Sequence, residues 1–142
     1  MTLKTIDQIH VGDVAEFAKT LSESDVYLFA GITGDFNPAH VNEVYSQATS
    51  FKTRIAHGIL TAGLISAVMA NQLPGPGTIY IRQELDFLAP ARIGDTITAH
   101  VEVTDIMKDI NRIRLRTWCT KQDGSMVLNG EALVSPPRAS HS

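Results

Sequence analysis

The stretch that decides the fold spans residues 57–72 and reads HGILTAGLISAVMANQ. Its length and apolar content predict a helix that is hydrophobic on nearly every side. A helix of this kind is buried over most of its surface, so other elements must surround it. Gly63 and the alanines of the stretch would let one of those elements approach closely. The helix is expected to end before residues 74–77, PGPG, because proline and glycine interrupt helices.

After residue 77 the apolar period changes to two, which is the period of a β-strand. Apolar and polar side chains alternate at residues 79–87, 96–103 and 112–119, and a last strand is expected at residues 126–134. Pro90, Gly94 and Gly124 mark the turns between these segments. The pattern is typical of antiparallel strands that bury one face of a sheet.

The chain before the apolar helix supplies its remaining elements. Ser22 and Asp25 have the spacing of a capping box, which marks a helix start, and Gly31 and Gly34 are suited to its end. The expected elements are a strand at 14–21, a helix at about 23–32, a loop at 34–40 and a short helix at 42–48. The complete order predicts an α+β domain in which a curved antiparallel sheet folds over a central helix.

Composition limits the classes of protein to which the chain could belong. Its 142 residues are enough for one domain, with 44% hydrophobic and 19% charged residues, which excludes a disordered chain. A net charge of -3 argues against nucleic acid as a partner, because phosphate binding usually requires a basic surface. Cys119 is the single cysteine of the sequence, so it has no partner for an intrachain disulfide, and one thiol does not form a cysteine-rich zinc site.

The sequence also bears on location. It has no apolar run close to the roughly 20 residues that cross a bilayer, so no membrane association is expected. The first residues, MTLKTID, lack the layout of a secretory signal, and a cytoplasmic protein is expected. Residues 135–142 are polar and contain two prolines, so this tail is expected to be flexible.

Asp35 and His40 are the first candidates for catalysis. They flank Asn37 and Pro38, and the proline favours an extended Asn37, so both side chains could point at one place. A carboxylate and an imidazole that converge on one water form a general acid–base pair. The alternative is that Asp35 serves a turn and His40 packs the loop, since Gly-Asp and Asn-Pro are common in loops.

Two residues of the apolar helix are further candidates. The N–H of Gly58 lies at the helix start, where backbone donors have no intrahelical partner and could hold a developing oxyanion. The alternative is a helix-start glycine without a ligand. Ser66 could bond to the carbonyl four residues before it or line a polar pocket. A nucleophilic serine is less favoured, because no nucleophile-elbow sequence surrounds it.

The other histidines and a group of arginines complete the candidates. The histidines at positions 10, 57, 100 and 141 show no metal-ligand spacing, and no metal is expected. Arg112, Arg114 and Arg116 alternate along one strand and indicate a solvated outer face. The alternative is that they attract an anionic ligand such as a nucleotide phosphate.

Residues 33–40, TGDFNPAH, followed by residues 54–58, RIAHG, resemble the hydratase signature of the MaoC-like (R)-specific enoyl-CoA hydratases. Residues 73–80 and 86–95, LPGPGTIY and DFLAPARIGD, are also similar to that family. The resemblance covers about residues 11–134 of the chain. It implies a hot-dog fold, a homodimer whose sheets join edge to edge, and hydration of a trans-2-enoyl-CoA to an (R)-3-hydroxyacyl-CoA.

The resemblance also implies roles for individual residues. Asp35 and His40 match the catalytic pair, and Gly58 matches the residue whose N–H binds the thioester oxygen. Ser66 matches a serine that supports the catalytic loop, and Asn37 matches a polar residue that lines the site. His57 is expected to support this site as well. The acyl pocket is expected among apolar side chains that vary within the family, namely Leu64, Ile65, Val68, Met69 and Leu85.

The resemblance implies no cofactor, because water is the nucleophile and CoA belongs to the acyl-CoA substrate. Three alternatives stay open. The chain could be a hot-dog acyl-carrier-protein dehydratase, an acyl-CoA thioesterase, or an acyl-CoA-binding module without catalysis. The sequence leaves the acyl chain length undecided. It also leaves open whether the product enters polyhydroxyalkanoate synthesis, β-oxidation or another pathway.

Overall fold

The computed structural model describes residues 2–139. The helices and strands of this part of the chain are, in order, β1 (Val14–Thr20), α1 (Glu23–Thr33), α2 (Pro38–Val41), α3 (Glu43–Gln47), α4 (Gly58–Asn71), β2 (Ile79–Phe87), β3 (Thr96–Met107), β4 (Arg112–Thr120) and β5 (Met126–Ser135). Short 3₁₀ turns lie at Ile6–Gln8 and Lys108–Ile110. The expected order of elements is confirmed, except that the second half of the predicted loop at 34–40 begins helix α2.

The five strands form one antiparallel sheet with the order β1-β3-β4-β5-β2. Helix α4 packs against β3, β4 and β1 on the inner face of that sheet. The expected α+β class and hot-dog fold are thereby confirmed. Since β1 and β2 are the outermost strands, each leaves one edge of the sheet unpaired within the described chain.

The core lies between α4 and the inner face of the sheet. Strand β3 alternates buried and half-buried residues, and β4 repeats that pattern in register with it. Burial of these apolar side chains is the main stabilising term of the domain. The fully buried members include Ile65, Val68 and Met69 of α4 and Ile97, Val101, Val103, Ile113 and Leu115 of the sheet.

The predicted start and end of α1 are confirmed. The Ser22 hydroxyl accepts a hydrogen bond from the N–H of Asp25, and the Asp25 carboxylate accepts one from the N–H of Ser22. Gly34 ends the helix with φ of 82°, a left-handed conformation that glycine adopts without steric cost. The residue that follows this cap is Asp35, so the helix end determines where that carboxylate begins.

The prediction that buried and exposed side chains alternate along residues 79–87 is wrong for the first half of β2. A β-bulge between Tyr80 and Arg82 adds a residue, which reverses the faces on which the earlier side chains lie. Tyr80 therefore pairs with the buried Val134, and burial raises the pKa of its hydroxyl to about 12. Ile79 and Ile81, expected in the core, are 61% and 45% exposed.

The end of the chain is more ordered than its composition suggested. Ser135 belongs to β5, and Pro136 and Pro137 are buried. The side-chain amide of the buried Asn111 donates hydrogen bonds to the Ser135 hydroxyl and the Pro136 carbonyl. The expected flexible tail therefore does not begin at residue 135, and residues 140–142 lie outside the described part of the chain. Among residues 2–139, no helix has the length and apolar character that crossing a membrane requires.

Candidate active site

A cavity of about 490 Å³ opens beside the start of α4. Its wall is mostly apolar and comes from the first turns of α4, the segment that precedes that helix, and the turn that follows β2. Two groups of chemical interest, His40 and Gly58, border it. Its apolar lining includes Phe51, Ile55, Ile59, Phe87, Leu88 and Val127.

Local sequence places His40 at this cavity and Asp35 close to His40. Asn37 is the N-cap of α2, where its side-chain oxygen accepts a hydrogen bond from the N–H of Ala39 at 3.0 Å. Pro38 occupies the first turn, where its missing N–H costs nothing. This short helix turns the chain after Asp35 and carries His40 back toward α4. Capping therefore explains why the gap between the two residues holds Asn and Pro.

The hydrogen bond of His40 defines which of its ring nitrogens carries a proton. Nδ1 lies 2.7 Å from the carbonyl oxygen of Ile55, and a carbonyl only accepts. The Nδ1–H group is therefore the donor, and in the neutral ring Nε2 has a free lone pair. A histidine with this tautomer fixed is suited to accept a proton from water.

His57 holds the other member of the pair. Its Nε2–H group donates to the backbone carbonyl of Asp35 at 3.0 Å, and its ring packs on His40 with centroids 3.9 Å apart. Phe29 covers it, with centroids 4.7 Å apart. His57 is 2% exposed, and its Nδ1 has no hydrogen-bond partner among the described residues. The ring thus connects the Asp35 backbone to the N-terminus of α4.

The structure brings Asp35, His40 and His57 together. One carboxylate oxygen and one nitrogen of each ring lie within 4.8 Å of one another, a separation that one water molecule can bridge. Three groups of metal-ligand type meet here, which the spacing of the histidines in the sequence did not indicate. Each ring already gives one nitrogen to a backbone carbonyl. The expectation of no metal stays a prediction.

Gly58 is the first residue of α4, so its N–H has no intrahelical partner. A Cβ at this position would lie 2.7 Å from two ring carbons of Phe87, closer than such atoms normally approach. A larger residue here would therefore displace the Phe87 ring from its position at the cavity wall. The sequence identified the backbone donor but not this steric reason for glycine.

Asn37 lies next to the pair, where its N–H donates to the Asp35 carboxylate at 3.2 Å, whereas Ser66 lies on α4. The Asn37 side chain caps α2 instead of lining the cavity. Ser66 lies half-buried on α4, and within residues 2–139 its hydroxyl forms no hydrogen bond to the carbonyl of Ala62, four residues before it, or to the loop that carries Asp35 and His40. It shares the open face of α4 with Ile59, Gly63 and Ala70. A supporting role for Ser66 stays a prediction.

The five residues expected to form the acyl pocket do not border this cavity, and their contact with an acyl chain stays a prediction. Leu64, Ile65, Val68 and Met69 are core residues between α4 and the sheet, and Leu85 packs against that core. None of the five belongs to the lining of the cavity. The apolar lining from Phe51, Ile55 and Phe87–Ala91 was missed, although residues 86–95 stood out as similar to the family. No periodic pattern identifies such residues, because they come from irregular segments.

The arginines of β4 face away from the cavity. Ile113, Leu115 and Cys119 are buried, so Arg112, Arg114 and Arg116 lie on the opposite face of the strand. Arg114 forms ion pairs with Asp105 and Glu131, and Arg116 stacks on the Trp118 ring at 4.3 Å. Carboxylates already partner Arg114, which favours the solvated-face interpretation over an anion site.

Comparison with known proteins agrees with this geometry. The chain is 55% identical over 137 residues to an (R)-specific enoyl-CoA hydratase of Rhodospirillum rubrum, which covers 96% of this chain and 94% of the relative. It is 49% identical to a 3-hydroxybutyryl-CoA dehydratase of Methylorubrum extorquens, over 93% of this chain and 83% of the relative. The solved structure of an unliganded R-hydratase from Pseudomonas aeruginosa superposes with a TM-score of 0.91 at 41% identity, covering 95% and 86% of the two chains. The model of the MaoC-like domain matches residues 8–125, and the chain belongs to that family.

Proposed function

We infer that this protein is an (R)-specific enoyl-CoA hydratase, a hydro-lyase that adds water to a trans-2-enoyl-CoA and forms an (R)-3-hydroxyacyl-CoA. One observation carries the inference from the geometry. A carboxylate and a histidine with a fixed tautomer face a site that can hold a water, next to an apolar cavity that begins at a helix N-terminus. The relatives named above support the thioester substrate and the (R) configuration.

Asp35 and His40 activate the water and manage its protons. The water oxygen bonds to C3 of the enoyl group while the pair takes one of its protons. A proton is added to C2, so the atoms of one water are divided between the two carbons. General acid–base catalysis of this kind contributes about 10²–10⁴-fold to a rate. Either residue could deliver the proton to C2, because both lie next to the same water position.

Gly58 stabilises the charge that this addition creates. When oxygen attacks C3, electrons move through the conjugated system to the thioester oxygen, which becomes enolate-like. The free N–H of Gly58 and the positive end of the α4 dipole are suited to hold that oxygen. The apolar cavity beside Gly58 then receives the acyl chain, with Phe87 and Ile55 among its walls. No cofactor is required, because this polarisation comes from the backbone.

A direct test is to mix the protein with crotonyl-CoA and follow the loss of the enoyl-thioester ultraviolet absorbance, with chiral analysis of the product. We expect rapid loss and (R)-3-hydroxybutyryl-CoA. Release of free CoA thiol without hydration would instead identify a thioesterase. Hydration restricted to acyl-carrier-protein substrates would identify a carrier-protein dehydratase. Binding without turnover of either substrate would leave only a binding module.

The protein is also expected to form a homodimer through β2. This edge strand exposes Ile79 and Ile81. An unpaired strand edge with exposed apolar side chains promotes association with another chain. The open face of α4, with Ile59 60% exposed, is a second apolar surface next to the cavity. A dimer that joined the two β2 strands would cover both surfaces. A cytoplasmic location stays a prediction from the sequence.

Light scattering at micromolar concentration tests this assembly. We expect twice the 15.5 kDa chain mass for the unmodified protein and a monomer for Ile79→Lys. Val14→Lys is the matched control, because Val14 is 68% exposed on β1, the opposite edge of the sheet. A monomeric unmodified protein, or dissociation by the control alone, would contradict pairing through β2.

A further inference from the structure

The segment that carries Asp35 and His40 has little hydrophobic packing of its own. In α1 only Val26 and Ala30 are buried, and no residue from 31 to 45 is buried. Apolar burial is normally what fixes one element against another. The position of the catalytic pair must therefore depend on specific polar contacts to the rest of the domain.

Arg54 supplies several of those contacts at once. Its Nε donates to Glu43 of α3 at 2.8 Å, and a terminal nitrogen donates to Glu23 of α1 at 2.8 Å. Its other terminal nitrogen donates to the Tyr27 hydroxyl, so one guanidinium joins two helices. The Arg54 side chain is only 15% exposed. Its hydrogen bonds to Glu43 and Glu23 raise its pKa further above the ordinary arginine value, so it stays charged.

Arg54 is connected to the catalytic histidine through the next residue. The N–H of Ile55 donates to the carbonyl of Ala39 at 3.0 Å, and the carbonyl of Ile55 accepts from Nδ1 of His40 at 2.7 Å. Both backbone groups of Ile55 therefore hold α2. Because Arg54 anchors α1 and α3 on either side of α2, its side chain sets the position of the Ile55 backbone relative to His40.

We propose that Arg54 is a positioning residue for hydration, which holds α1 and α3 so that the Ile55 carbonyl fixes the tautomer and orientation of His40. This role rests on the proposed function. Arg54 itself does not border the cavity, so it acts through Ile55 and His40 rather than on the substrate. Arginine is required because three acceptors in different directions match its planar set of donors, whereas lysine offers one point charge.

The proposal predicts a loss of turnover without a comparable loss of binding. We expect Arg54→Lys to lower kcat about 10-fold and Arg54→Met about 100-fold, with KM changed by less than about 3-fold, because misplacement of a catalytic group by about 1 Å costs on that order. Arg114→Lys is the matched control. Arg114 also pairs with two carboxylates, but on the outer face of β4, and its replacement should leave kcat unchanged.

A spectroscopic measurement separates positioning from general stability. In the unmodified protein, the Nδ1–H proton of His40 should give a low-field NMR resonance that exchanges slowly, because it is hydrogen-bonded to Ile55. His40→Gln assigns that resonance by removing it. We expect it to broaden or disappear in both Arg54 variants at temperatures where circular dichroism shows a native fold, and to persist in Arg114→Lys.

Several outcomes would overturn the proposal. Arg54 variants with kcat within twofold of the unmodified protein, or with an unchanged His40 resonance, would contradict it. If Arg54→Met does not fold, Glu23→Ala gives the same test, since Glu23 is 56% exposed and alanine has no side-chain acceptor for Arg54. If the unmodified protein hydrates no enoyl thioester, the proposed function fails. The NMR measurement would then still decide whether Arg54 positions His40.

Discussion

Asp35→Asn and His40→Gln are each expected to lower kcat at least about 100-fold while the protein stays folded. Asparagine keeps the size of the aspartate but has no basic oxygen for a proton. Glutamine can still donate to the Ile55 carbonyl, but it has no basic nitrogen that could accept a proton in place of Nε2. Asp35 is exposed and His40 is half-buried, so neither substitution opens a hole in the core.

Steady-state kinetics with crotonyl-CoA and circular dichroism measure this prediction. Asp109→Asn, in the exposed turn between β3 and β4, and His100→Gln, on the outer face of β3, are the matched controls. Both should retain full turnover. Activity near that of the unmodified protein in either Asp35→Asn or His40→Gln would refute the role assigned to that residue. Such activity in both variants would refute catalysis by the pair.

Gly130→Ala is expected to destabilise the domain by about 3 kcal/mol and to lower Tm by roughly 10 °C. Gly130 lies in β5, between Leu85 of β2 and Thr117 of β4. A Cβ at this position would lie 1.8 Å from the carbonyl oxygen of Glu84, and that oxygen belongs to the backbone. Because backbone cannot rotate away as a side chain can, β2 must move off the sheet.

Thermal unfolding followed by circular dichroism measures this effect. Gly31→Ala is the matched control, because Gly31 lies in α1 with open space where its Cβ would be. Alanine there should leave Tm unchanged or raise it, since alanine is more favourable than glycine inside a helix by up to about 1 kcal/mol. Equal melting temperatures for Gly130→Ala and Gly31→Ala would contradict the close approach of β2 and β5. Because Phe87 ends β2 and borders the cavity, Gly130→Ala should also raise KM.

Periodicity in the sequence determined most of the fold. The apolar stretch at 57–72 and the alternating segments after residue 77 led directly to α4 and the sheet. Helix caps were equally informative, because Ser22, Asp25 and Gly34 act on their immediate neighbours. The bulge in β2 was not predictable in this way. Whether a strand contains an extra residue depends on its pairing partner, here β5, and not on its own alternation.

The features of the site also separate into those that the sequence predicts and those that only the tertiary structure determines. The sequence alone singled out Asp35, His40 and the Gly58 N–H, because a family motif and a helix start are local in the chain. Tertiary structure decided how they are held. The Ile55 carbonyl binds His40, the His57 ring binds the Asp35 backbone, and Arg54 joins α1 to α3. It also decided which apolar side chains border the cavity and which fill the core. Both decisions depend on contacts between residues far apart in the chain, and no local pattern of side chains encodes those distances.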